Sequence, residues 1–149
     1  MINESTKPTI IGVYHVLESE KCNLKAITDY LETHIPEDRR IGCEITPLQL
    51  AIVESTSDKF SIEFLRRIKE FDLQLVSTDD DNLRNRHKEA IKKIIYHFTE
   101  TGETSKRLVT ELYLASLERS ASMGYQIKKK GLELSFVGNL HRMDLRNIF

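Results

Sequence analysis

Carboxylates are grouped at two places in this sequence, and carboxylates can carry acid–base chemistry. They form the run Asp79–Asp81, and a second pair stands at Glu18 and Glu20. General acid–base catalysis needs such groups fixed in a cleft with their pKa values pushed apart. The stretch "STDDDN" interrupts the hydrophobic periodicity, which predicts a loop over residues 77–82, and it lacks the spacing and final Glu of an EF-hand. We expect a solvated acidic loop, with partner contact or a cation site as alternatives.

The cysteines and histidines show no metal-ligand spacing. Cys22 and Cys43 form no C-x-x-C pair, and no histidine stands at a zinc-ligand distance from either cysteine. We expect two reduced thiols, buried or half-buried, and no bound metal. The alternative is a cysteine nucleophile paired with a distant histidine. The histidines available are His15, His34, His87, His97 and His141.

The sequence also lacks the short motifs that mark common catalytic and cofactor sites. G-x-x-x-x-G-K-[ST], G-x-G-x-x-G, H-E-x-x-H and G-x-S-x-G are all missing. We therefore expect no cofactor and no catalysis. The alternative is a small effector or toxin-like enzyme whose site is assembled from scattered histidines, cysteines and carboxylates.

Charge is distributed unevenly along the chain. The net charge is −1, but residues 1–83 carry 9 basic and 16 acidic side chains, a balance of −7, whereas residues 84–149 carry 13 and 7, a balance of +6. Lys128, Lys129 and Lys130, with Tyr125 nearby, could contact the phosphates of nucleic acid or an anionic membrane surface. An exposed basic turn explains the same lysines more simply. Nucleic acid is not the expected partner, and binding to an anionic surface or nucleic acid through the basic half is kept as an alternative.

Hydrophobic periodicity predicts helices along most of the chain. The 149 residues suffice for one domain with a single core. Apolar residues recur at spacings of three and four in residues 24–35, 62–71 and 90–98. Pro47 after Thr46 indicates a further helix start, with Thr46 as its N-cap. The predicted fold class is all-α.

The last predicted helix begins near residue 105 and is followed by a region of weaker signal. Thr104 or Ser105 is the expected N-cap of that helix. After Gly124, alternating apolar residues at Leu132, Leu134 and Phe136 are compatible with a short strand. We interpret residues 121–149 as an uncertain, mainly helical cap.

An offset of 37 residues relates two parts of the chain. It places Thr9 on Thr46, Ile11 on Leu48, Val13 on Leu50, Val16 on Val53, Ile27 on Phe64 and Leu31 on Ile68. The offset predicts repeat-like units at about residues 9–45 and 46–85, and residues 86–120 share the helix–turn–helix outline.

The segment "TPLQLA", Thr46–Ala51, resembles the ankyrin-repeat motif Thr-Pro-Leu-His-x-Ala, with Gln49 in place of the histidine. The resemblance implies stacked antiparallel helix pairs that bind a partner protein through loop tips and a concave helical face. It therefore indicates a protein–protein interaction module, with another helical-hairpin array or an irregular bundle as the alternative architecture. The residues expected to contact the partner are Arg40, Glu44, Gln49, Asp80 and Arg84.

No apolar run in the sequence approaches the roughly 20 residues that span a bilayer. The N-terminus lacks the basic and apolar regions of a secretory signal. We expect a cytoplasmic protein. Degenerate repeats of this kind also occur in bacterial effectors, so the resemblance implies delivery into a host cell as a further setting.

Overall fold

A computed structural model describes residues 7–13, 20–55 and 66–149 of the chain. In chain order its strands and helices are β1 (Thr9–Val13), α1 (Glu20–Leu31), β2 (Arg40–Cys43), α2 (Pro47–Ser55), β3 (Gln74–Ser77), α3 (Asp81–Thr101), α4 (Lys106–Lys130), β4 (Leu134–Gly138) and α5 (Asn139–Ile148). The helix predicted over residues 62–71 is described only from residue 66, and residues 66–70 are helical.

The centre of the fold is a parallel four-stranded sheet in the order β1-β4-β2-β3. The prediction of an all-α fold is therefore wrong, and so is that of an ankyrin-like helical repeat. The 37-residue offset had aligned β1, a strand, with α2, a helix. Strands of four or five residues in a parallel sheet read as short apolar runs, and periodicity alone does not separate such runs from a turn of buried helix.

Helices cover both faces of the sheet and create two apolar layers. The first layer contains Ile27, Leu31, Ile41, Ile68, Leu134 and Phe136. The second layer contains Met123, Ile127, Leu132, Val137 and Leu145. The neighbours Phe136 and Val137 belong to different layers because successive strand residues point to opposite faces. β4 is buried along its whole length, as a central parallel strand must be.

Two predicted helix starts are confirmed by their capping bonds. The Gln49 backbone N–H donates to Thr46 Oγ1, and the Thr46 N–H donates to Gln49 Oε1, both at 3.1 Å. This reciprocal pair is a capping box, so the position of Gln49 has a local cause. At the start of α4, the Leu108 N–H donates to Ser105 Oγ at 3.3 Å.

The expected helical cap at residues 121–149 has a mixed structure. α4 continues to Lys130 and ends at Gly131, whose φ of 62° is the left-handed conformation that glycine tolerates best. β4 and α5 follow. The short strand that the alternation of Leu134 and Phe136 allowed is confirmed.

The helices α3 and α4 form a long antiparallel hairpin. They contain 21 and 25 residues, which corresponds to about 30 Å and about 37 Å of helix. Ala90 is the buried residue of α3, and Leu108 is the buried residue in the first half of α4. The outer half of the hairpin therefore lies largely in solvent. Among the helices in the described ranges, none is long and apolar enough to cross a bilayer.

Gly42 on β2 generates a prediction about sheet packing. A Cβ at this position would overlap Ser135 Oγ and lie 2.9 Å from Leu132 Cδ1. We expect Gly42→Ala to lower the free energy of unfolding by about 1–3 kcal/mol through overpacking, measured by urea denaturation.

Ser135→Ala is the matched control for Gly42→Ala. Ser135 Oγ is buried and has no hydrogen-bond partner among the described residues. Its removal should leave the free energy of unfolding unchanged or raise it. An unchanged urea midpoint in Gly42→Ala would show that the strands are not in the close contact described.

Candidate functional site

The carboxyl ends of three neighbouring strands bring polar side chains together. Glu44 directly follows β2, Asp79 follows β3 by two residues, and His141 lies in the first turn of α5 after β4. The register places Cys43 of β2 beside both Ser77 and Phe136, so these strand ends meet at one edge of the sheet.

The α3–α4 hairpin adds two further side chains at this edge, His87 and Arg119. The set Glu44, Asp79, His87, Arg119 and His141 is called here the carboxyl-edge cluster. The carboxyl edge is where open α/β sheets bind their ligands.

Arg119 is the centre of the cluster, and its side chain is only 6% exposed. A guanidinium has five N–H groups. Nε and Nη2 donate to Asp79, at 3.0 Å and 2.5 Å, and Nη2 also donates to Glu44 Oε1 at 2.8 Å. Nη1 donates to His87 Nδ1 at 3.1 Å and to His141 Nε2 at 3.3 Å. All five donors are therefore used, and each partner comes from a different element or loop.

The two carboxylates are held by backbone groups as well as by Arg119. The Asp80 N–H donates to Asp79 Oδ1 at 2.9 Å, and the Gly138 N–H donates to Glu44 Oε2. The Asp79 side chain is 0% exposed, whereas that of Glu44 retains 9%. Burial alone would lower the pKa of Arg119, but the hydrogen bond and charge of Asp79, together with Glu44, raise this pKa above its ordinary value.

The hydrogen bonds from Arg119 define the tautomers of both histidines. Since Arg119 can only donate, His141 Nε2 accepts, and its proton lies on Nδ1. That Nδ1–H donates to Ser120 Oγ at 2.6 Å, and the serine hydroxyl donates to Asp144 Oδ2 at 2.8 Å. By the same reasoning His87 accepts at Nδ1 and carries its proton on Nε2. Both rings are thus neutral hydrogen-bond acceptors of one cation.

Ser120, His141 and Asp144 do not have the geometry of a serine-hydrolase triad. In a triad the imidazole accepts the serine proton and the carboxylate orients the imidazole. Here the serine proton points to Asp144, and His141 directs its basic nitrogen to Arg119. Ser120 is also fully buried. These residues therefore join α4 to α5 and fix the ring of His141.

Glu44 and Arg84, two residues expected to contact a partner, lie at the carboxyl edge. Glu44 belongs to the cluster, and Arg84 borders it, with Nη1 3.5 Å from Asp79 Oδ2. Arg84 Nε is buried and has no hydrogen-bond partner within the described parts of the chain. The side chain of Arg84 is 26% exposed, so the guanidinium reaches solvent beside the cluster.

The other residues expected to contact a partner make structural hydrogen bonds within the chain. Asp80 caps α3, since its Oδ1 accepts the Leu83 N–H at 2.9 Å. The loop predicted over residues 77–82 therefore ends at Asp80, and the helix begins at Asp81. Gln49 closes the capping box of α2. Arg40 lies at the amino end of β2, on the opposite edge of the sheet, and donates to the Lys130 carbonyl at 2.8 Å.

The three lysines at the end of α4 do not converge on one binding site. Lys128 and Lys129 are exposed, and Lys129 Nζ lies 5.7 Å from the Tyr125 ring centre. Lys130 Nζ donates to the Ser77 carbonyl at 2.8 Å, and burial lowers the pKa of this amine. The three lysines therefore point to different surroundings.

The other cysteine and histidine candidates whose side chains the structure describes lie outside the cluster. Cys43 is buried in the first apolar layer, and burial raises its pKa to about 12, which disfavours a thiolate. His34 stacks on Tyr30 with ring centres 4.4 Å apart. His15 and the Cys22 side chain lie outside the described residues. Within the described ranges, no three His, Cys, Asp or Glu side chains converge closely enough to hold a metal ion.

Two sequence signals could have located the cluster. Glu44 and Asp79 each follow a short apolar run, "RIGC" and "LQLVS". Such a carboxylate indicates a candidate site only when the run before it is recognised as a strand. Arg119 continues the apolar stripe of Leu108, Leu112 and Ala115 at helical spacing. A charged residue within such a stripe indicates a buried charge that needs partners.

No protein-family model, curated protein sequence or solved structure matches this chain. The evidence for its function is therefore the geometry of the carboxyl-edge cluster.

Asp79 generates a prediction about stability. Asp79→Asn keeps the size of the side chain but removes the charge that Arg119 contacts most closely. We expect the free energy of unfolding to fall by about 3–5 kcal/mol, because a buried cation loses a partner. Glu118→Gln is the control, since it breaks the exposed 2.7 Å Arg86–Glu118 ion pair and should cost about 0–1 kcal/mol. Equal losses in urea denaturation would contradict a special role for Asp79.

The two cluster histidines predict a pH dependence of stability. Burial, as the largest cause, lowers the pKa of His87 and of His141 below their ordinary value of 6.5. Below pH 6.5 the unfolded chain therefore binds protons that the folded chain does not. The free energy of unfolding should fall as the pH is lowered from about 7.5 to about 5.5.

A double variant tests this pH dependence. His87→Gln with His141→Gln keeps an acceptor oxygen for Arg119 but removes both titrations. The dependence of the unfolding free energy on pH, measured by chemical denaturation, should flatten over this range. The same slope in the double variant would show that other groups cause the effect.

Proposed function

We propose that the protein is an enzyme that uses general acid–base catalysis to hydrolyse a substrate carrying an anionic group, with the carboxyl-edge cluster as its active site. The observation that supports this proposal is the buried Glu44–Arg119–Asp79 network with two neutral histidines at the carboxyl ends of parallel strands. His141 Nε2 lies 3.6 Å from Glu44 Oε1, and Arg119 donates to both atoms.

Stability alone does not explain such a network. Burying three charges costs several kcal/mol per ion, and well-packed apolar side chains would serve a core as well or better. Networks that combine buried charges with shifted histidine pKa values in a ligand-binding position are typical of functional sites. This reasoning favours the enzyme among the functions that the sequence left open. Partner binding through loop tips stays a prediction, but the helical repeat on which it relied is contradicted by the parallel sheet.

The residues of the cluster suit different roles. Glu44 is the candidate base that takes a proton from the attacking water, because its carboxylate keeps some exposure and is fixed by Gly138 and Arg119. His87 is half-buried and carries its proton on Nε2, so it is the candidate hydrogen-bond donor to the negative charge that develops on the substrate. The proton that Glu44 takes from the water then passes from Glu44 to the leaving group. Arg119 and Asp79 are buried and position these groups.

Arg84 supports the anionic character of the substrate. Its contact with Asp79 is long, at 3.5 Å, and its Nε has no partner among the described residues. The solvent-exposed part of the Arg84 side chain would bind a carboxylate or phosphate, since guanidinium groups pair with both. The cation lies at the rim of the cluster, where a substrate would enter.

Hydrolysis assays on a panel of chromogenic esters, amides and phosphomonoesters test the proposal, with each class in an anionic and a neutral form. Glu44→Gln should lower kcat by about a hundredfold or more, and Arg84→Gln should raise KM for the anionic members only. Glu118→Gln, at an exposed acid of α4, is the matched control and should not change either constant. Turnover at the wild-type rate in Glu44→Gln, or no turnover of any member by the wild type, would refute the proposal.

A further inference from the structure

The outer half of the α3–α4 hairpin carries an apolar face that is open to solvent. Its members on α3 are Ile91, Ile95 and Phe98, which are 38%, 59% and 54% exposed, and its members on α4 are Val109 and Tyr113, which are 47% and 62% exposed. These five residues are called here the hairpin face. Such a contiguous exposed apolar set marks a binding surface more often than isolated apolar residues do.

Helical geometry places all five residues on one side of the hairpin. Ala90 and Leu108 are the buried residues of this part of the two helices, so we infer that they face the seam between them. Ile91 and Val109 each follow their seam residue by one position, a rotation of about 100°. In an antiparallel pair, equal rotations from the seam bring the two residues to the same side of the pair.

The hairpin face leads directly to the carboxyl-edge cluster. Arg84 precedes Ile91 by seven residues, and Ser120 follows Tyr113 by seven, so two full turns bring each onto the same side of its helix. Arg84 contacts Asp79, and Ser120 contacts the ring of His141. The apolar face therefore lies on the same side of the hairpin as Arg84 and Ser120, with Lys88 between Arg84 and Ile91.

Two lysines border the hairpin face. Helical spacing places Lys88 of α3 and Lys106 of α4 next to it, whereas Lys92 forms an exposed 2.9 Å ion pair with Glu89. The other side of the hairpin carries both signs of charge, as in the Arg86–Glu118 ion pair. The charged residues directly beside the hairpin face are therefore the two lysines Lys88 and Lys106.

We propose that the hairpin face binds the alkyl or acyl chain of an anionic amphiphile whose head group lies at the border of the carboxyl-edge cluster, beside Arg84. The proposal rests on the proposed function and names the substrate class of that site. The chain would cover Ile91, Ile95 and Tyr113, while a phosphate or carboxylate head would pair with Arg84. The flanking lysines favour an anionic ligand.

The same charges disfavour a second copy of this protein as the occupant. A two-fold dimer through the hairpin face would bring each set of flanking lysines against the same set in the partner, and like charges across an interface cost binding energy. An anionic amphiphile would place its apolar chain on the hairpin face and its negative charge near the flanking lysines.

Binding of alkyl phosphates tests the inference without requiring turnover. The chain has no tryptophan, so Phe98→Trp supplies a single fluorescent reporter on the hairpin face. Butyl, octyl and dodecyl phosphate, each below its micelle concentration, should shift its emission to the blue, with affinity rising about twofold per methylene on a half-covered surface. Tyr96→Trp, an exposed site away from the face, should show no shift. Inorganic phosphate should shift neither reporter.

Paired variants locate the binding surface. Ile95→Ser with Tyr113→Ser, in the Phe98→Trp background, should weaken dodecyl phosphate binding by about tenfold or more. Tyr96→Ser with Leu114→Ser removes equally exposed apolar residues from the other side of the hairpin and should leave binding within about twofold. Dodecyl phosphate should also bind better than dodecyl maltoside, which has the same chain but an uncharged head group. Vesicles containing phosphatidic acid test whether the protein takes the ligand from a bilayer.

Several results would overturn the inference. Affinity independent of chain length, or equal losses in the two double variants, would exclude the hairpin face as the binding surface. A wild-type dimer that Ile95→Ser with Tyr113→Ser converts to a monomer in analytical ultracentrifugation would assign the face to a second copy. Chain-length-dependent binding that persists in Glu44→Gln, together with an unaffected hydrolysis rate, would refute the proposed catalysis while the surface assignment stands.

Discussion

The guanidinium of Arg119 is the interaction on which the rest of the structure depends. It joins the hairpin to the loops after β2 and β3 and to α5, through Asp79, Glu44 and His141. A buried guanidinium without partners would be very costly, whereas one with all five donors used and two anions beside it is tolerated. The geometry of the carboxyl edge therefore follows from the need to satisfy a single cation.

The same cation also determines the chemistry that this edge can perform. Because Arg119 occupies the lone pairs of His87 Nδ1 and His141 Nε2, both rings are kept neutral and their orientation is defined. Ser120 and Asp144 extend this order into α5, where they hold the second nitrogen of His141. An acid–base site requires supporting hydrogen bonds of this kind to keep its reacting groups in position. The hairpin supplies both this cation and the apolar face beside it, so one long element unites the two surfaces.

Sequence reasoning located helix starts better than it located the fold. The caps at Thr46 and Ser105 were predicted because capping is a local interaction between residues three apart. The strands were missed because "TIIGV" and "RIGC" are short apolar runs whose partners lie far away in the chain. The resemblance of Thr46–Ala51 to a repeat motif reflects a capping box and a helix that begins with Pro47. Glu44 was selected as a partner contact for its position in a predicted loop, and it lies instead in the buried cluster.

By itself the sequence determined the local features: the helix starts, the amphipathic stripes of α3 and α4, and the charged residue that interrupts the stripe of α4. These depend on neighbours within a few residues, so they can be recognised along the chain. Only the tertiary structure decided that Asp79, Arg119 and His141 meet. Their approach requires parallel pairing of β2 with β3 and β4, and such pairing joins Arg40 to Gln74, 34 positions apart, and Gly42 to Ser135, 93 positions apart. Contacts of that range leave no periodic pattern in a single sequence, because they are selected by the burial of the whole sheet.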